Sequence, residues 1–411
     1  MRTPRRSRPL IVAAAASCLL ATGLASAEIP PEVSASSLAL EVAPAPTPVS
    51  VPAAPVAQHA PANPSLDSFH AQVGTRLTFR VQNPNEGSRD KLDDSASDGE
   101  ADVVLWGQAH PFLKWQVGFV GSYGDQAPRN RADVLDLVAK IELADSFNLW
   151  IGRMPMPSDR SSLSTIWALP TWTTPGAYSI YPLRVPAGTR PWAGPRYGSN
   201  GRGDGVTLWG QLYGGALKYY VGVFDLERPA MSPLYTARIN LSLINPEPGY
   251  GSSSGYYGNK NLLAIGLGAQ HQTSGSVSAA DPLAPTDDFN EVGADLLFEM
   301  NGGGAGVVDL EGAFAKVWGD NELAGYQTYG LASYLVPIDV GIGHFQPLLR
   351  IQHAGSSQAY GDTTFTGIDA QLGYIIDGYH ARLLAVYQYA KLAGTSENAL
   401  LFGLQLLSQA K

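Results

Sequence analysis

Six arginines occupy the stretch between residues 153 and 202, which contains a single acidic residue, Asp159. They are Arg153, Arg160, Arg184, Arg190, Arg196 and Arg202. If this stretch folds into a water-filled channel, its arginines would line a constriction and favour one sign of ion. The alternative is an external loop whose arginines face solvent or bind lipopolysaccharide phosphates.

Further charged residues fall on the polar faces of segments in which apolar and polar residues alternate, as they do in β-strands. The basic set is Arg76, Arg80, Lys114, Lys140, Lys218, Arg238, Arg350 and Arg382, and the acidic set is Glu291, Asp295, Glu299, Asp309 and Glu311. We predict that both sets line a lumen, with the acidic residues forming a wall that faces the arginine-rich stretch.

Catalytic and metal-binding patterns are weak in this chain. Histidines such as His271, His344 and His353 are scattered without metal-ligand spacing. A barrel enzyme would need an oriented Ser–His pair, for which His110 and Ser122 are the conceivable residues. The sequence therefore predicts no catalysed reaction, no cofactor and no metal site, and a barrel enzyme is the less favoured alternative.

The elements that would position these charges are short strands. Phe147, Leu149 and Ile151 alternate with polar or aromatic positions until Pro155 and Pro157, which cannot donate to a strand ladder. About sixteen such segments follow one another, and short connections alternate with long polar ones, as in outer-membrane barrels.

Aromatic residues near the predicted strand ends are expected to form interfacial girdles. They are Trp106, Trp115, Tyr123, Trp150, Tyr329, Tyr374 and Tyr389. A soluble sandwich or propeller is the competing architecture, but charges occupy nearly every polar face and no propeller-like repeat is present. The predicted fold class is an all-β, transmembrane antiparallel β-barrel of about sixteen strands with an inward-folded constriction loop.

The N-terminal part of the chain predicts export. Residues 1–27 combine four early arginines, an apolar run and a small-residue cleavage site, which together are typical of a signal peptide. Residues 28–66 form a Pro/Ala-rich flexible segment, and residues 67–411 form the predicted barrel. The one cysteine, Cys18, lies within the signal peptide, and the net charge of −9 gives no nucleic-acid footprint.

Two local stretches resemble the phosphate-selective porin O/P-like group of Gram-negative outer-membrane porins. One is FNLWIGRMPMP at 147–157, and the other is GHFQPLLRIQHAGS at 343–356, which contains Pro347 and Arg350. The resemblance implies a sixteen-stranded, trimeric diffusion pore with a constriction loop after the fifth strand. The chain departs from the group by ending in LQLLSQAK, without a terminal aromatic residue. The phosphate path of the group cannot be matched residue by residue, so phosphate selectivity is not carried over.

The sequence thus predicts a porin of the bacterial outer membrane that lets small hydrophilic solutes and ions diffuse passively, with a weak preference for anions. The expected partners are outer-membrane lipid and lipopolysaccharide, small solutes or inorganic anions, and two further copies in a homotrimer. The main alternative is a plugged barrel with a structural or anchoring role.

Overall fold

The computed structural model describes the barrel strands and part of the connections between them. The described residues are 69–83, 94–124, 131–174, 202–225, 232–277, 285–318, 325–355, 364–392 and 395–410. The predicted signal peptide and the Pro/Ala-rich segment lie outside them, so both assignments stay predictions.

Sixteen strands form one closed antiparallel barrel, in which each strand pairs with its neighbours in sequence and β1 pairs with β16. The strands are β1 Phe69–Asn83, β2 Asp94–His110, β3 Leu113–Gly124, β4 Arg131–Ala144, β5 Phe147–Pro155, β6 Arg202–Leu212, β7 Leu217–Asp225, β8 Leu234–Ile244, β9 Leu262–Val277, β10 Pro285–Asn301, β11 Val307–Trp318, β12 Tyr326–Leu335, β13 His344–Gly355, β14 Thr364–Asp377, β15 Ala381–Leu392 and β16 Thr395–Ala410. The predicted fold class is confirmed. Closure pairs the backbone of both terminal strands, so the sheet has no free edge.

The helical content of the described residues is small. It comprises α1, Arg160–Leu163, and single 3-10 turns at Ile166–Ala168, Tyr213–Gly215 and Gly303–Ala305. No helix in the described ranges has the length and apolar character that a membrane-spanning helix requires.

Side chains alternate between the two faces of the sheet. Val73, Leu77 and Phe79 of β1 are exposed on the outside, whereas Arg76 and Arg80 of the same strand are buried inside. The same alternation runs along β8, where exposed Ile239 and Leu241 flank buried Asn240. An apolar exterior around a polar interior is the arrangement of a membrane barrel, the reverse of a soluble one.

The two ends of the barrel differ. The terminal end, at which β1 begins and β16 ends, carries exposed aromatic residues such as Phe69, Phe112 and Tyr213. The loop end, opposite to it, carries exposed Trp318 and Tyr326. Aromatic residues thus lie at both rims, but these five are not among the predicted girdle residues.

Three of the predicted girdle residues point inward instead. Trp106 stacks on His70 in the lumen, with ring centroids 5.5 Å apart. Trp150 is buried in an aromatic cluster, and Tyr329 is buried with its hydroxyl donating to Glu311 over 2.5 Å. These residues lie on the polar register of their strands, so the girdle assignment is corrected for them.

Candidate pore constriction

The connection between β5 and β6 enters the lumen from the loop end. We call its described part, residues 156–174, the lumen loop. β5 ends at Pro155, and Asp159 then caps α1, because its Oδ1 accepts the backbone N–H of Ser162 over 2.7 Å. The Ser162 hydroxyl accepts the backbone N–H of Asp159 in return, over 3.2 Å, which completes a capping box. The loop therefore has a defined start inside the barrel.

Two tryptophans fix the lumen loop against the wall formed by β1, β2 and β16. The indole N–H of Trp167 donates to Asp102, and that of Trp172 donates to Thr78 over 3.0 Å. Glycines make room for both rings: a Cβ on Gly74 would lie 2.6 Å from the Trp167 ring, and one on Gly403 would lie 2.8 Å from the Trp172 ring. The loop therefore packs directly on the barrel backbone at these two points.

Basic side chains of β1, β13 and β15 donate hydrogen bonds to carbonyls of the lumen loop. Arg76 donates to the carbonyl of Trp172, and its guanidinium carbon lies 4.1 Å from the centroid of that ring. Arg350 donates to the carbonyl of Thr173 over 2.7 Å, and Arg382 to that of Pro170 over 3.4 Å. We call Arg76, Arg350 and Arg382 the basic wall. Their positive charges position the lumen loop by donating to neutral carbonyl oxygens.

A second connection enters the lumen from the terminal end. Residues 245–261, between β8 and β9, form what we call the lumen turn. The ring of Tyr250 stacks on Trp150 of β5 at 4.3 Å and meets Trp209 of β6 edge-on at 5.6 Å. Lys218 of β7 donates to the carbonyl of Gly251 over 2.9 Å. The turn is therefore anchored to β5, β6 and β7.

The lumen loop and the lumen turn meet inside the barrel. The backbone N–H of Ser252 donates to the carbonyl of Leu163 over 3.2 Å, and that of Ser254 to the carbonyl of Ala168 over 3.2 Å. Arg160 donates to both carboxylate oxygens of Glu247, over 3.0 and 2.6 Å, and to the carbonyl of Ser253 over 2.6 Å. Segments from opposite ends thus form one buried contact across the lumen.

The charges at this contact have shifted proton affinities. Burial alone would raise the pKa of Glu247, but the Arg160 guanidinium outweighs it and lowers that pKa to about 2. Burial, together with the nearby Asp295 carboxylate, raises the pKa of Asp159 to about 6. The Arg160–Glu247 pair therefore stays ionised at neutral pH. The pKa of Asp159 lies just below neutral pH.

A cavity of about 330 Å³ lies between the two lumen segments and the wall formed by β1–β4. Its lining carries both signs of charge, including Lys114 paired with Glu142 over 2.6 Å and Arg202 paired with Asp136 over 3.1 Å. The indole rings of Trp106, Trp150 and Trp167 line it as well. A small hydrated solute or ion could occupy this space.

The six arginines predicted for the constriction lie in different places. Arg160 is completely buried in the pair with Glu247, and Arg202 is buried beside Asp136. Arg153 pairs across the sheet with outward-facing Leu137 and binds Asp204 through both oxygens, over 2.8 and 2.7 Å. Since directly opposed residues share one face, Arg153 lies on the outer side of β5, which corrects its prediction. Arg184, Arg190 and Arg196 lie outside the described residues.

The thirteen predicted pore-lining residues all lie on the inward register of their strands, as burial alternating with outward apolar neighbours shows. Arg238 binds both oxygens of Asp295, over 2.5 and 2.8 Å, and Asp295 also accepts the backbone N–H of Arg160 over 3.2 Å. The acidic wall thus does contact the lumen loop, but at its beginning. Residues 161–174 carry no charged side chain and pack on the basic wall instead.

Sequence reasoning missed the lumen turn and its functional side chains, Glu247, Tyr250 and Tyr256. The available signal was position in the chain: residues 245–261 fall on the side of the short connections, yet they are long and rich in Gly, Ser and Tyr. A connection of this length is not needed to join two neighbouring strands, so the extra residues must pack against another part of the barrel.

No family model matches the sequence, and no curated protein sequence matches it. Solved structures with a similar fold include OprB from Pseudomonas putida at high pH, with a TM-score of 0.57, 10% identity, and coverage of 84% of this chain and 94% of that one. OmpF from Salmonella typhi in complex with daunomycin has a TM-score of 0.53, 12% identity, and coverage of 83% and 97%. At such identities the similarity shows the fold: this chain has the sixteen-stranded barrel of the outer-membrane porins.

Proposed function

We propose that this protein is an outer-membrane porin through which small hydrophilic solutes and ions diffuse passively. The observation that supports it best is a closed barrel with an apolar exterior and a charged lumen, in which a solute-sized cavity remains beside the lumen loop. In this proposal the terminal end faces the periplasm, the loop end faces the exterior, and the lumen loop forms the constriction. The porin fold of the structural neighbours agrees with this assignment.

Planar-bilayer recordings of the purified, folded barrel test the proposal. We expect stable single-channel conductance on the nanosiemens scale, since a partly open lumen is filled with water. Trp167→Ala should raise that conductance, because Trp167 lines the cavity between the lumen loop and β1. A barrel that inserts but never conducts would contradict the proposal.

The weak anion preference stays a separate prediction. Arg160 and Arg202 pair with Glu247 and Asp136, and Arg184, Arg190 and Arg196 lie outside the described residues, so the described part of the loop gives this preference no support. Reversal potentials measured across a salt gradient would decide it, and clear cation selectivity would overturn it. The resemblance to the phosphate-selective O/P-like group and the homotrimer also stay predictions.

A plugged, anchoring barrel is the second candidate, and one observation favours it: two segments from opposite ends meet in the lumen through the buried Arg160–Glu247 pair. Conductance separates the two candidates, because a plugged barrel would stay silent until this contact is broken.

We propose no catalysed reaction. His110 lies at the terminal end of β2, whereas Ser122 lies near the loop end of β3, so the conceivable Ser–His pair is not formed.

A further inference from the structure

Two carboxylates of the acidic wall oppose each other directly. Glu299 of β10 pairs with Asp309 of β11 in the sheet register, and both side chains are buried, with 1% and 3% of their surface exposed. Like charges in directly opposed positions destabilise a sheet, and burial increases their repulsion. Within the described ranges, neither carboxylate forms an ion pair with a basic side chain. Two backbone N–H groups of the lumen turn offset part of the Glu299 charge, so the charge that remains on the pair needs another partner.

The oxygens around this pair include some without a donor. Oδ1 of Asp309 has no hydrogen-bond partner. Gln346 of β13 is 4% exposed and donates its amide nitrogen to Ser333 over 3.1 Å, which leaves its Oε1 without a partner. A buried acceptor without a donor costs free energy unless a ligand or water satisfies it.

These side chains line one small cavity. Its volume is about 10 Å³, and its lining includes Glu299, Asp309, Gln346 and Tyr379. Gly255 of the lumen turn also lines it: a Cβ at this residue would lie 3.1 Å from the Tyr379 hydroxyl, 3.4 Å from Asp309 Oδ2 and 3.7 Å from Glu299 Oε2. Three oxygens, from β10, β11 and the turn between β14 and β15, thus surround a space that glycine leaves open.

We propose that Glu299, Asp309 and Gln346 form a binding site for one hard divalent cation, such as Ca²⁺, between the acidic wall and the lumen turn. Hard cations take carboxylate, amide and hydroxyl oxygens as ligands, and the cavity is the size of one ion or water. No three His, Cys, Asp or Glu side chains among the described residues converge on one point. The ligand set is therefore two carboxylates completed by neutral oxygens, and its two negative charges match a divalent ion.

The cation would also fasten the lumen turn. Glu299 accepts the backbone N–H groups of Tyr256 and Gly258, over 2.5 and 2.6 Å. A cation bound to the same carboxylate connects the turn to β10, β11 and β13. Cation binding at this site does not depend on solute passage, so its test is separate from the test of the proposed porin function.

Calcium titration of the chelator-treated, folded barrel by isothermal calorimetry tests the proposal. We expect one Ca²⁺ site in the wild-type chain and a loss of affinity of at least about tenfold in Asp309→Asn and Gln346→Met, because even residues that only support a metal ligand cost that much. Asp339→Asn is the matched control, since its side chain is 85% exposed in a turn, and it should leave this site unchanged. Absence of a saturable site in the wild type, or equal binding by Asp309→Asn, would overturn the proposal.

Unfolding measurements separate a cation site from two carboxylates that share a proton. Without Ca²⁺, Asp309→Asn should be more stable than the wild type, because the variant removes the buried repulsion. With saturating Ca²⁺, the order should reverse, because ligand binding stabilises only the chain that binds it. A wild-type stability that does not respond to Ca²⁺ would show that the pair is neutralised by protons alone, and the proposal would fail.

Discussion

At the scale of single residues, the Arg160–Glu247 pair is a buried ion pair between the lumen loop and the lumen turn. Both side chains are almost completely buried, at 0% and 2% exposure, and the pair is bidentate. Removing one partner from a buried pair leaves an uncompensated charge, which costs about 3–5 kcal/mol. We therefore expect Glu247→Gln to lower the free energy of unfolding by an amount of this order, measured by urea unfolding of the folded barrel.

Arg153 provides the control for that variant. It also forms a bidentate pair, with Asp204, but on the partly exposed outer side of the barrel. Arg153→Gln should cost less than about 1 kcal/mol, as exposed pairs do. In bilayers, Glu247→Gln should raise the conductance, whereas Arg153→Gln should not. Equal effects of the two variants on stability would show that the lumen contact is not held by this pair.

Asp159 makes the lumen loop sensitive to pH. Because the pKa of Asp159 in the folded chain, about 6, lies above its usual value of 3.8, protonation favours the docked loop. This contribution to stability is present at low pH and is lost as the pH rises through about 6. The charged groups facing Asp159 are Asp295 and Arg238, which bind each other. Glu247 does not titrate in this pH range, because its pKa is about 2.

Hydrogen exchange of the lumen-loop amides measures this effect. After correction for intrinsic rates, protection should be higher at pH about 5.5 than at pH about 7.5. Asp159→Asn keeps a side-chain oxygen for the cap of α1 but cannot ionise, so the difference should become smaller. Higher protection of the wild type at the higher pH would contradict the assignment.

At the scale of elements, the lumen loop depends on glycines of the wall. A Cβ on Gly74 would lie 2.6 Å from both Trp167 and Asp102, so neither can keep its place. Overpacking of this kind costs about 1–3 kcal/mol. Gly74→Ala should lower the free energy of unfolding by that amount. Gly330→Ala, where no atom lies within 4 Å of the added Cβ, should leave it nearly unchanged.

The strands and their faces could be predicted from the sequence because alternation is a local signal. Arg76, Asp295 and Arg382 lie inside because each follows the period of its own strand. The same period places Arg153 on the face of Ile151, and the prediction for Arg153 failed because Arg153 was assigned to the connection after the strand. β5 in fact continues to Pro155.

The connections could not be predicted in this way. A segment rich in Gly, Ser and Pro has the same composition whether it lies in solvent or inside a lumen, so residues 245–261 gave no local sign of their place. The Arg160–Glu247 contact joins two such segments from opposite ends of the barrel. Contacts of this kind depend on barrel closure, which no local pattern contains.

At the scale of the whole molecule, the proposed function requires the exterior to match a lipid bilayer along its height. Leu267 lies in the middle of β9, and Leu143 lies at the terminal end of β4, yet the two are equally exposed, at 59% and 60%. In water the two positions would be equivalent. In a membrane they differ in depth, because only Leu267 would contact the hydrocarbon centre.

Arginine substitutions at these two positions test the membrane assignment directly. Leu267→Arg should lower the free energy of unfolding from lipid vesicles by about 2–4 kcal/mol, whereas Leu143→Arg near the interface should cost about 0–1 kcal/mol. In both variants the added guanidinium meets no lumen group, so the difference reports depth alone. Equal and small costs at both positions would mean that lipid does not surround this barrel, and the porin assignment would lose its basis.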